Sequence, residues 1–207
     1  MADTVDMRDR YTYEHSKRVS RYAVQIAEQL GLPAKDTANI RLAARVHDLG
    51  KIGVPDHILR KAGPLTAEER ELMERHVQIG YDILSRFADF HECKELVLLH
   101  HERVDGVGYP GATTGLEDTE RGRHFLGAQI IAVADALDAM TSDRPYRAAM
   151  SLDDALAEFR RYRGVQWLPL VVDALEAIVA VPESQHALRR ARLSVVEPRF
   201  APVAASA

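Results

Sequence analysis

The stretch LGAQIIAVADALDAM, which spans residues 126–140, decides the fold class of this chain. Apolar side chains occupy nearly every side of the helix that this stretch predicts, so we expect the helix to be mostly buried. Like every other apolar run in the sequence, it is too short to cross a bilayer. The carboxylate of Asp135 interrupts the apolar run and needs a partner inside the protein.

Helical patterns also dominate on both sides of this stretch. Apolar residues recur at three- and four-residue spacing between positions 19 and 30. Further helices are predicted over about 36–49, over about 66–84, where a capping box opens the helix, and over about 89–102. Strand signals are scarce, so the sequence predicts one all-α domain.

The composition excludes several classes of protein. Of the 207 residues, 28% are charged and 46% are hydrophobic, a balance that argues against a disordered chain. The formal net charge of −4 provides no basic field for duplex nucleic acid or for an anionic membrane surface. The single cysteine, Cys93, excludes an intrachain disulfide and is typical of a reducing compartment, so we expect a cytoplasmic protein.

Five histidines and two aspartates fall on helix faces that should point into the protein. They are His15, His47, Asp48, His76, His100, His101 and Asp135. A single histidine on such a face is more often a packed core residue than a metal ligand. Seven such groups would each need separate hydrogen-bond partners, because burial of an unpaired carboxylate is costly. A shared divalent metal site would satisfy all seven together.

The types of ligand restrict the metal. Imidazole and carboxylate without thiolate suit Fe, Mn, Ni or Zn, and the choice among these stays open. Seven ligands exceed what one ion normally takes, so two divalent ions are predicted, with Asp48 as the ligand that bridges them. Two such ions would retain positive charge after neutralising both aspartates, which suits a phosphodiester anion.

At these residues the sequence resembles the HD-GYP subfamily of the HD phosphohydrolases. HDLGKIGVPDHIL (47–59) is similar to the HD motif, HHERVDGVGYP (100–110) to the HHE…DGxGYP motif, and ADALDAMTSDRPYR (134–147) to a downstream motif of that subfamily. EHSKRV around His15 and RHVQIGYDIL around His76 follow in the same order. The resemblance covers roughly residues 9–180.

The resemblance implies an all-α HD-domain helical bundle with a binuclear metal centre in its core. It also implies hydrolysis of the bacterial second messenger cyclic di-GMP to linear pGpG, to GMP or to both, by attack of a metal-bridging hydroxide. One ion would be bound by His15, His47, Asp48 and Asp135, and the other by Asp48, His76, His100 and His101. The expected organisation is a flexible N-terminus over 1–8, a catalytic domain over 9–180, and a C-terminal helix with a frayed tail over 181–207.

Four side chains match residues that handle phosphate or base in that family. They are Lys51, Tyr109, Arg144 and Arg147. Asp48 and Lys51 are the expected catalytic residues, since the Lys51 ammonium could stabilise charge on the phosphate or help to protonate the leaving oxygen. The alternatives are a solvated lysine at a helix end for Lys51 and a surface salt bridge for Arg147.

The chain departs from the family pattern at four places, one of which is a stretch after GYP (108–110) that is longer than usual. Tyr11 stands where some relatives have a glutamate that supports a third ion, which favours two ions here. HFLGAQ (124–129) replaces an Ile-Pro-Leu…Ala-Arg motif, so Gln129 lacks the expected positive charge. In GVQWLP, Trp167 and Leu168 replace a Phe and an Asp. The HFLGAQ change bears on lid geometry and substrate preference rather than on the metal site.

Several functions stay open from the sequence. Besides cyclic di-GMP hydrolysis, the chain could cleave another cyclic dinucleotide, such as cyclic GMP-AMP, or a nucleoside phosphate. A non-catalytic cyclic-dinucleotide-binding module is a further hypothesis, which the complete ligand set disfavours. The loop that contains Gly-Tyr-Pro at residues 108–110, called the GYP loop below, could also contact a protein partner. The oligomeric state is left open. The length leaves no room for an input domain, so the chain is regulated through its own surface or is the catalytic part of something longer.

Overall fold

The computed structural model describes residues 14–111, 119–143 and 148–181. Within these ranges the chain forms α1 (His15–Gln29), α2 (Ala34–Val46), α3 (Asp56–Leu59), α4 (Ala67–Glu74), α5 (His76–Leu84), α6 (Lys94–Leu99), α7 (Thr119–Thr141), α8 (Leu152–Arg161) and α9 (Pro169–Ala180). Two 3-10 turns lie at Leu49–Gly53 and Ala88–Phe90. These residues form no strand beyond one isolated bridge, so the prediction of an all-α fold is confirmed. The predicted N-terminal segment 1–8 and residues 182–207 lie outside the described ranges.

The apolar stretch over residues 126–140 lies in α7, at the centre of the bundle. Helices α1, α2, α6, α8 and α9 all contact α7. Ala128, Ile130, Ile131, Val133 and Ala134 of this helix are fully buried. Full burial of one isoleucine or valine side chain contributes about 1.5–3 kcal/mol relative to exposure. Neighbouring helices cover α7 on several sides. This is why apolar residues occur on several sides of the helix.

Local side chains explain where several helices begin. Thr66 and Glu69 form both bonds of a capping box at α4, with N···O distances of 2.8 and 3.3 Å. The Ser151 hydroxyl accepts a hydrogen bond from the Asp154 amide at the start of α8. Pro169 occupies the first position of α9, where its missing N–H has no helical partner to lose. The capping box predicted near residue 66 is therefore confirmed.

Three predicted helices are shorter than their apolar patterns. The helix expected over 36–49 ends at Val46 and turns into the first 3-10 turn. The pattern over 66–84 forms two helices, which meet at Arg75, and the pattern over 89–102 is α-helical only within α6. The apolar spacing predicts which face is buried, but it does not show these interruptions.

Each interruption places a histidine at the end of a helix. His47 directly follows α2, His76 is the first residue of α5, and His100 directly follows α6. All three side chains are buried. Because these three histidines lie at helix ends, their side chains can approach one another at one point. Side chains in the middle of long parallel helices could not approach one another as closely.

The first 3-10 turn lies in close backbone contact with α5. A Cβ atom added to Gly50 would lie 1.8 Å from the His76 carbonyl oxygen and 2.5 Å from the Gly80 nitrogen. Only glycine leaves room for this approach. The contact brings Asp48, which precedes the turn, and Lys51, which lies within it, next to His76.

Candidate metal centre

Three buried histidines are oriented by their own backbone. The Nδ1 atoms of His47, His76 and His100 lie 2.9, 2.8 and 2.7 Å from the carbonyl oxygens of Ala44, Met73 and Val97. A carbonyl oxygen only accepts hydrogen bonds, so each Nδ1 carries the proton and donates it. Each Nε2 therefore carries a lone pair, which is the form of imidazole that binds a metal.

The imidazole rings form one continuous cluster. Ring centroids are 5.5 Å apart for His15 and His47, 5.1 Å for His47 and His100, 5.6 Å for His76 and His100, and 5.2 Å for His76 and His101. His100 and His101 are the closest pair, at 4.0 Å. The structure thus brings together all five histidines singled out in the sequence.

Two Nε2 atoms in this cluster give the strongest indication that these residues suit a metal ion. The Nε2 atoms of His76 and His100 are buried and have no hydrogen-bond partner within residues 14–111, 119–143 and 148–181. A buried polar atom without a partner normally costs about 1–3 kcal/mol. A divalent cation would accept both lone pairs, so the residues present fit a metal site.

The candidate ligand atoms fall into three overlapping groups, within each of which all atoms lie within 4.8 Å of one another. The groups are His15, His47 and Asp135; His47, Asp48 and His100; and His76, His100 and His101. Together they contain all seven predicted ligands. This arrangement is larger than one ion requires, and the described residues could hold divalent metal.

Asp48 lies between the two ends of the cluster. Its Oδ2 atom is 3.5 Å from Nε2 of His47, and its Oδ1 atom is 3.6 Å from Nε2 of His76. Lys51 lies on the same carboxylate, with Nζ 2.7 Å from Oδ2. Burial alone would raise the pKa of Asp48, but Lys51 and the surrounding histidines hold it well below its usual range. The carboxylate is therefore ionised and has one oxygen on each side.

Burial keeps His76, His100 and His101 neutral. Removal from water lowers the pKa of His76 and His100, and lowers that of His101 from 6.5 to about 4. Nearby histidines add to the effect because a charged imidazole would repel its neighbours. At neutral pH these rings can bind a cation without first losing a proton.

His15 differs because two carboxylates hold it. Its Nε2 is 3.2 Å from Oδ1 of Asp135, and its Nδ1 is 2.7 Å from Oδ2 of Asp138. Burial would lower the pKa of His15, but hydrogen bonds to Asp135 and Asp138 outweigh it and raise the pKa to about 10. Asp138 thus fixes the ring while Asp135, which is half-buried, faces the cluster.

Sequence reasoning missed Asp138 and its second partner, Arg18. The Arg18 guanidinium donates from Nε to Oδ1 of Asp138 at 2.5 Å and from Nη2 to Oδ2 at 3.0 Å. All of these groups are buried. The available signal was spacing, because Asp138 follows Asp135 by three residues and Arg18 follows His15 by three, which places each pair on one helix face.

The loop after His101 brings an aromatic side chain to the cluster. The Tyr109 ring lies 4.7 Å from the His101 ring and 6.1 Å from the His76 ring, measured between centroids. Its amide donates to the His101 carbonyl at 3.3 Å. Burial and the nearby carboxylates, Asp48 first among them, raise the pKa of Tyr109, so the phenol stays protonated and can donate. Tyr109 therefore lies where a ligand at the cluster would meet it.

Two of the four predicted substrate-binding residues lie outside the part of the chain that the structure describes. Arg144 and Arg147 lie outside the described residues, as does Tyr11, which was used to argue for two ions. Their predicted roles stay predictions. Lys51 and Tyr109, by contrast, both lie beside the histidine cluster.

The fold and the clustered histidines and aspartates define a class of protein. The chain belongs to the HD domain family, whose pattern matches residues 1–168, and the resemblance to HD phosphohydrolases is confirmed. HD-domain phosphohydrolases use divalent metals, in agreement with the cluster. No helix in residues 14–111, 119–143 or 148–181 combines the length and apolar character needed to cross a membrane.

Individual relatives come from several bacteria. The chain is 42% identical over 177 residues to the cyclic di-GMP phosphodiesterase response regulator RpfG of Xanthomonas campestris, covering 84% of this chain and 45% of that protein. It is 42% identical over 171 residues to a cyclic di-GMP phosphodiesterase of Thermotoga maritima, covering 82% and 45%. It is 40% identical over 153 residues to 3'3'-cGAMP-specific phosphodiesterase 3 of Vibrio cholerae, covering 74% and 32%. The chain thus spans less than half the length of these curated relatives.

Solved structures show the same fold. A cyclic GMP-AMP specific phosphodiesterase of V. cholerae matches with a TM-score of 0.69 at 18% identity, covering 95% of this chain and 52% of that chain. The HD domain of the L. monocytogenes phosphodiesterase PgpH, solved with cyclic di-AMP, matches with a TM-score of 0.52 at 16% identity, covering 97% and 99%. At these identities the likeness concerns the fold alone.

Proposed function

We propose that this chain is a metal-dependent phosphodiesterase that hydrolyses cyclic di-GMP to pGpG, to GMP or to both. The observation that carries the proposal is the pair of buried Nε2 atoms on His76 and His100, which have no hydrogen-bond partner within the described ranges. Both histidines lie near the Asp48 carboxylate. Two relatives at 42% identity that are named cyclic di-GMP phosphodiesterases support the choice of substrate.

The proposed centre holds two divalent ions, chosen among Fe, Mn, Ni and Zn. His15, His47, Asp48 and Asp135 would bind one, and Asp48, His76, His100 and His101 would bind the other. Bound there, such ions would supply Lewis-acid activation of water and of the phosphodiester. The two oxygens of Asp48, which face opposite sides of the cluster, suit a ligand shared between two ions.

The chain's own residues then have defined tasks. Asp48 holds Lys51 through a 2.7 Å contact, so the ammonium stays beside the cluster, where it stabilises negative charge on the phosphate or protonates the leaving oxygen. Tyr109 offers a protonated hydroxyl and a ring face to the substrate. Arg144 and Arg147 are proposed to grip phosphate through their guanidinium groups.

Turnover tests the proposal directly. The purified chain, reconstituted separately with Fe, Mn, Ni and Zn, is incubated with cyclic di-GMP, and the products are resolved by chromatography. We expect pGpG or GMP with at least one metal and none after treatment with a chelator. Metal-loaded protein that binds the dinucleotide without cleaving it would instead indicate a binding module.

Cyclic GMP-AMP is the second candidate substrate. The V. cholerae relative that is 40% identical to this chain is named a 3'3'-cGAMP-specific phosphodiesterase. Gln129 also lacks the positive charge that the resemblance to the HD-GYP pattern leads us to expect at this position. Cyclic GMP-AMP and cyclic di-GMP should therefore be compared side by side at equal concentrations. A higher kcat/KM for cyclic GMP-AMP would replace cyclic di-GMP as the assigned substrate.

Two further proposals concern the setting of this activity. The single cysteine, which is buried and unmodified by any disulfide, supports a cytoplasmic location. Val107, which is 77% exposed in the GYP loop, supports use of this loop as a contact for a protein partner.

A further inference from the structure

We propose that Gln129 is a positioning residue that fixes the segment Glu102–Tyr109 and, through it, the place of Tyr109 beside the cluster. The inference rests on the proposed function for its kinetic consequence, but its structural part stands on contacts alone. Gln129 lies in α7 and touches neither a candidate metal ligand nor the substrate-binding side chains through any of its side-chain hydrogen bonds.

The Gln129 side chain is fully buried and joins two distant backbone segments. Its Nε2 donates to the Glu102 carbonyl at 2.7 Å, and its Oε1 accepts from the Leu168 amide at 2.9 Å. The orientation of the amide is fixed, because a carbonyl only accepts and an N–H only donates. One side chain thus holds the residue that follows His101 and the residue that precedes α9.

The two segments that Gln129 joins also contact each other. The Asp105 amide donates to the Val165 carbonyl at 2.9 Å, and the Val104 amide to the Gln166 carbonyl at 3.4 Å. Nη1 of Arg103 reaches the Gln166 side chain at 3.2 Å. These bonds are closer to the surface, so Gln129 is the buried end of a docking contact between the loop and the turn before α9.

The position of Tyr109 depends on that of Glu102, because the backbone around Gly108 packs tightly against residues 101–103. A Cβ atom on Gly108 would lie 2.5 Å from the His101 carbonyl oxygen and 2.7 Å from Cα of Glu102. The Tyr109 amide bonds to the same His101 carbonyl, and the two rings lie 4.7 Å apart. A displacement of Glu102 would therefore displace the Tyr109 ring.

Two departures from the family pattern meet at this contact. The resemblance to the HD-GYP pattern leads us to expect an arginine where Gln129 stands and an aspartate where Leu168 stands. A guanidinium has no acceptor for the Leu168 amide, whereas the glutamine amide supplies both a donor and an acceptor. The neutral contact is thus a property of this chain's own sequence, and it acts on the loop that carries a proposed substrate contact.

The test compares Gln129→Met with Ser20→Ala in the metal-loaded chain. Methionine keeps the length and helix propensity of glutamine but removes both hydrogen bonds. Ser20 provides a matched control, since its buried hydroxyl donates to the Arg41 carbonyl at 2.9 Å and joins α1 to α2, away from the loop. Gln129→Asn, whose amide sits on a side chain shorter by one methylene and cannot reach both Glu102 and Leu168, replaces Gln129→Met if the latter does not fold.

Hydrogen exchange and steady-state kinetics are the two measurements. We expect Gln129→Met to raise exchange at the amides of Val104, Asp105 and Tyr109 by about tenfold or more, corresponding to the loss of a buried hydrogen bond. The KM for cyclic di-GMP should rise by about tenfold while kcat stays within about threefold of the unsubstituted chain. Ser20→Ala should change neither the exchange of those amides nor KM.

Loop exchange that stays unchanged in Gln129→Met, or that rises equally throughout the protein, would overturn the proposal. A fall in kcat at constant KM would do the same, because it reports fewer active molecules rather than a displaced substrate contact. If the unsubstituted chain fails to cleave cyclic di-GMP, the proposed function fails, while hydrogen exchange still decides whether Gln129 positions the loop.

Discussion

The backbone decides which nitrogen of His47, His76 and His100 faces the cluster. Each Nδ1–H donates to the carbonyl three residues earlier, so each Nε2 points inward with its lone pair. His15 is arranged differently, because a buried carboxylate from α7, Asp138, takes its Nδ1. The centre thus combines rings oriented by local backbone with one ring oriented by a partner 123 residues away.

Replacement of Asp138 by asparagine tests that long-range support. The change leaves the Arg18 guanidinium buried without its anionic partner and weakens the hold on His15, so we expect a loss of about 3 kcal/mol in the free energy of unfolding. Metal affinity should fall by about 10- to 100-fold, as it does when a carboxylate behind a ligating histidine is removed. Urea denaturation and competition with a chelator measure the two effects.

Asp173→Asn is the matched control, because Asp173 makes a similar paired contact with Arg163 at 2.7 and 2.6 Å on the exposed surface. Equal metal affinity in Asp138→Asn and the unsubstituted chain would show that Asp138 does not support the centre.

The raised pKa of His15 predicts a pH dependence of stability after chelation. Its pKa of about 10 in the folded chain lies above its ordinary value of 6.5, so the stabilisation is fully present below 6.5 and is lost as the pH rises toward 10. The lowered pKa values of His76, His100 and His101 act only below 6.5 and do not oppose this trend. Urea midpoints measured between pH 6.5 and 10 should therefore decline, and the decline should shrink in Asp138→Asn. Urea midpoints that do not change between pH 6.5 and 10 would contradict the raised pKa of His15.

At the scale of elements, the centre is built from helix ends rather than from helix faces. The sequence predicts the buried faces of these helices, because apolar residues recur at helical spacing. It does not predict that α2 ends at Val46 or that the pattern over 66–84 breaks at Arg75, since both interruptions depend on what the ends pack against. The 3-10 turn at Leu49–Gly53 packs on α5 through glycine, and this contact is visible only in three dimensions.

Gly50→Ala tests whether that turn must approach α5. The added methyl group would overlap the His76 carbonyl oxygen, so the turn must move away, taking Asp48 and Lys51 with it. We expect the free energy of unfolding to fall by at least about 2 kcal/mol. Gly63→Ala is the control, because nothing lies within 4 Å of the position of its Cβ and the change should stay within about 0.5 kcal/mol. Urea denaturation compares the two, and equal stability would refute the tight contact.

At the scale of the whole molecule, the sequence predicts more of the centre than of its support. The seven candidate ligands stand out because polar groups interrupt apolar faces, and the fold brings all seven together. Asp138 interrupts the same apolar run as Asp135, but its role, like the roles of Arg18 and Gln129, is explained only by its tertiary partners. Those partners come from α1, the GYP loop and the turn before α9.

A pair of histidine substitutions compares a proposed metal ligand with a histidine outside the metal centre. His47→Ala should lower the bound metal and abolish cyclic di-GMP hydrolysis, because His47 belongs to two of the three candidate ligand groups. His57→Ala, at an exposed position in α3, should leave both unchanged. Metal content by mass spectrometry and product chromatography check the pair, and full metal content in His47→Ala would refute the proposed ligand set.

Anomalous X-ray scattering from crystals of the metal-loaded chain tests the central claim most directly. Data collected on either side of the absorption edge of the bound metal locate each ion independently of the protein atoms. The account predicts two anomalous peaks, one among His15, His47, Asp48 and Asp135, the other among Asp48, His76, His100 and His101. A single peak, or peaks away from these side chains, would contradict a two-ion centre bridged by Asp48.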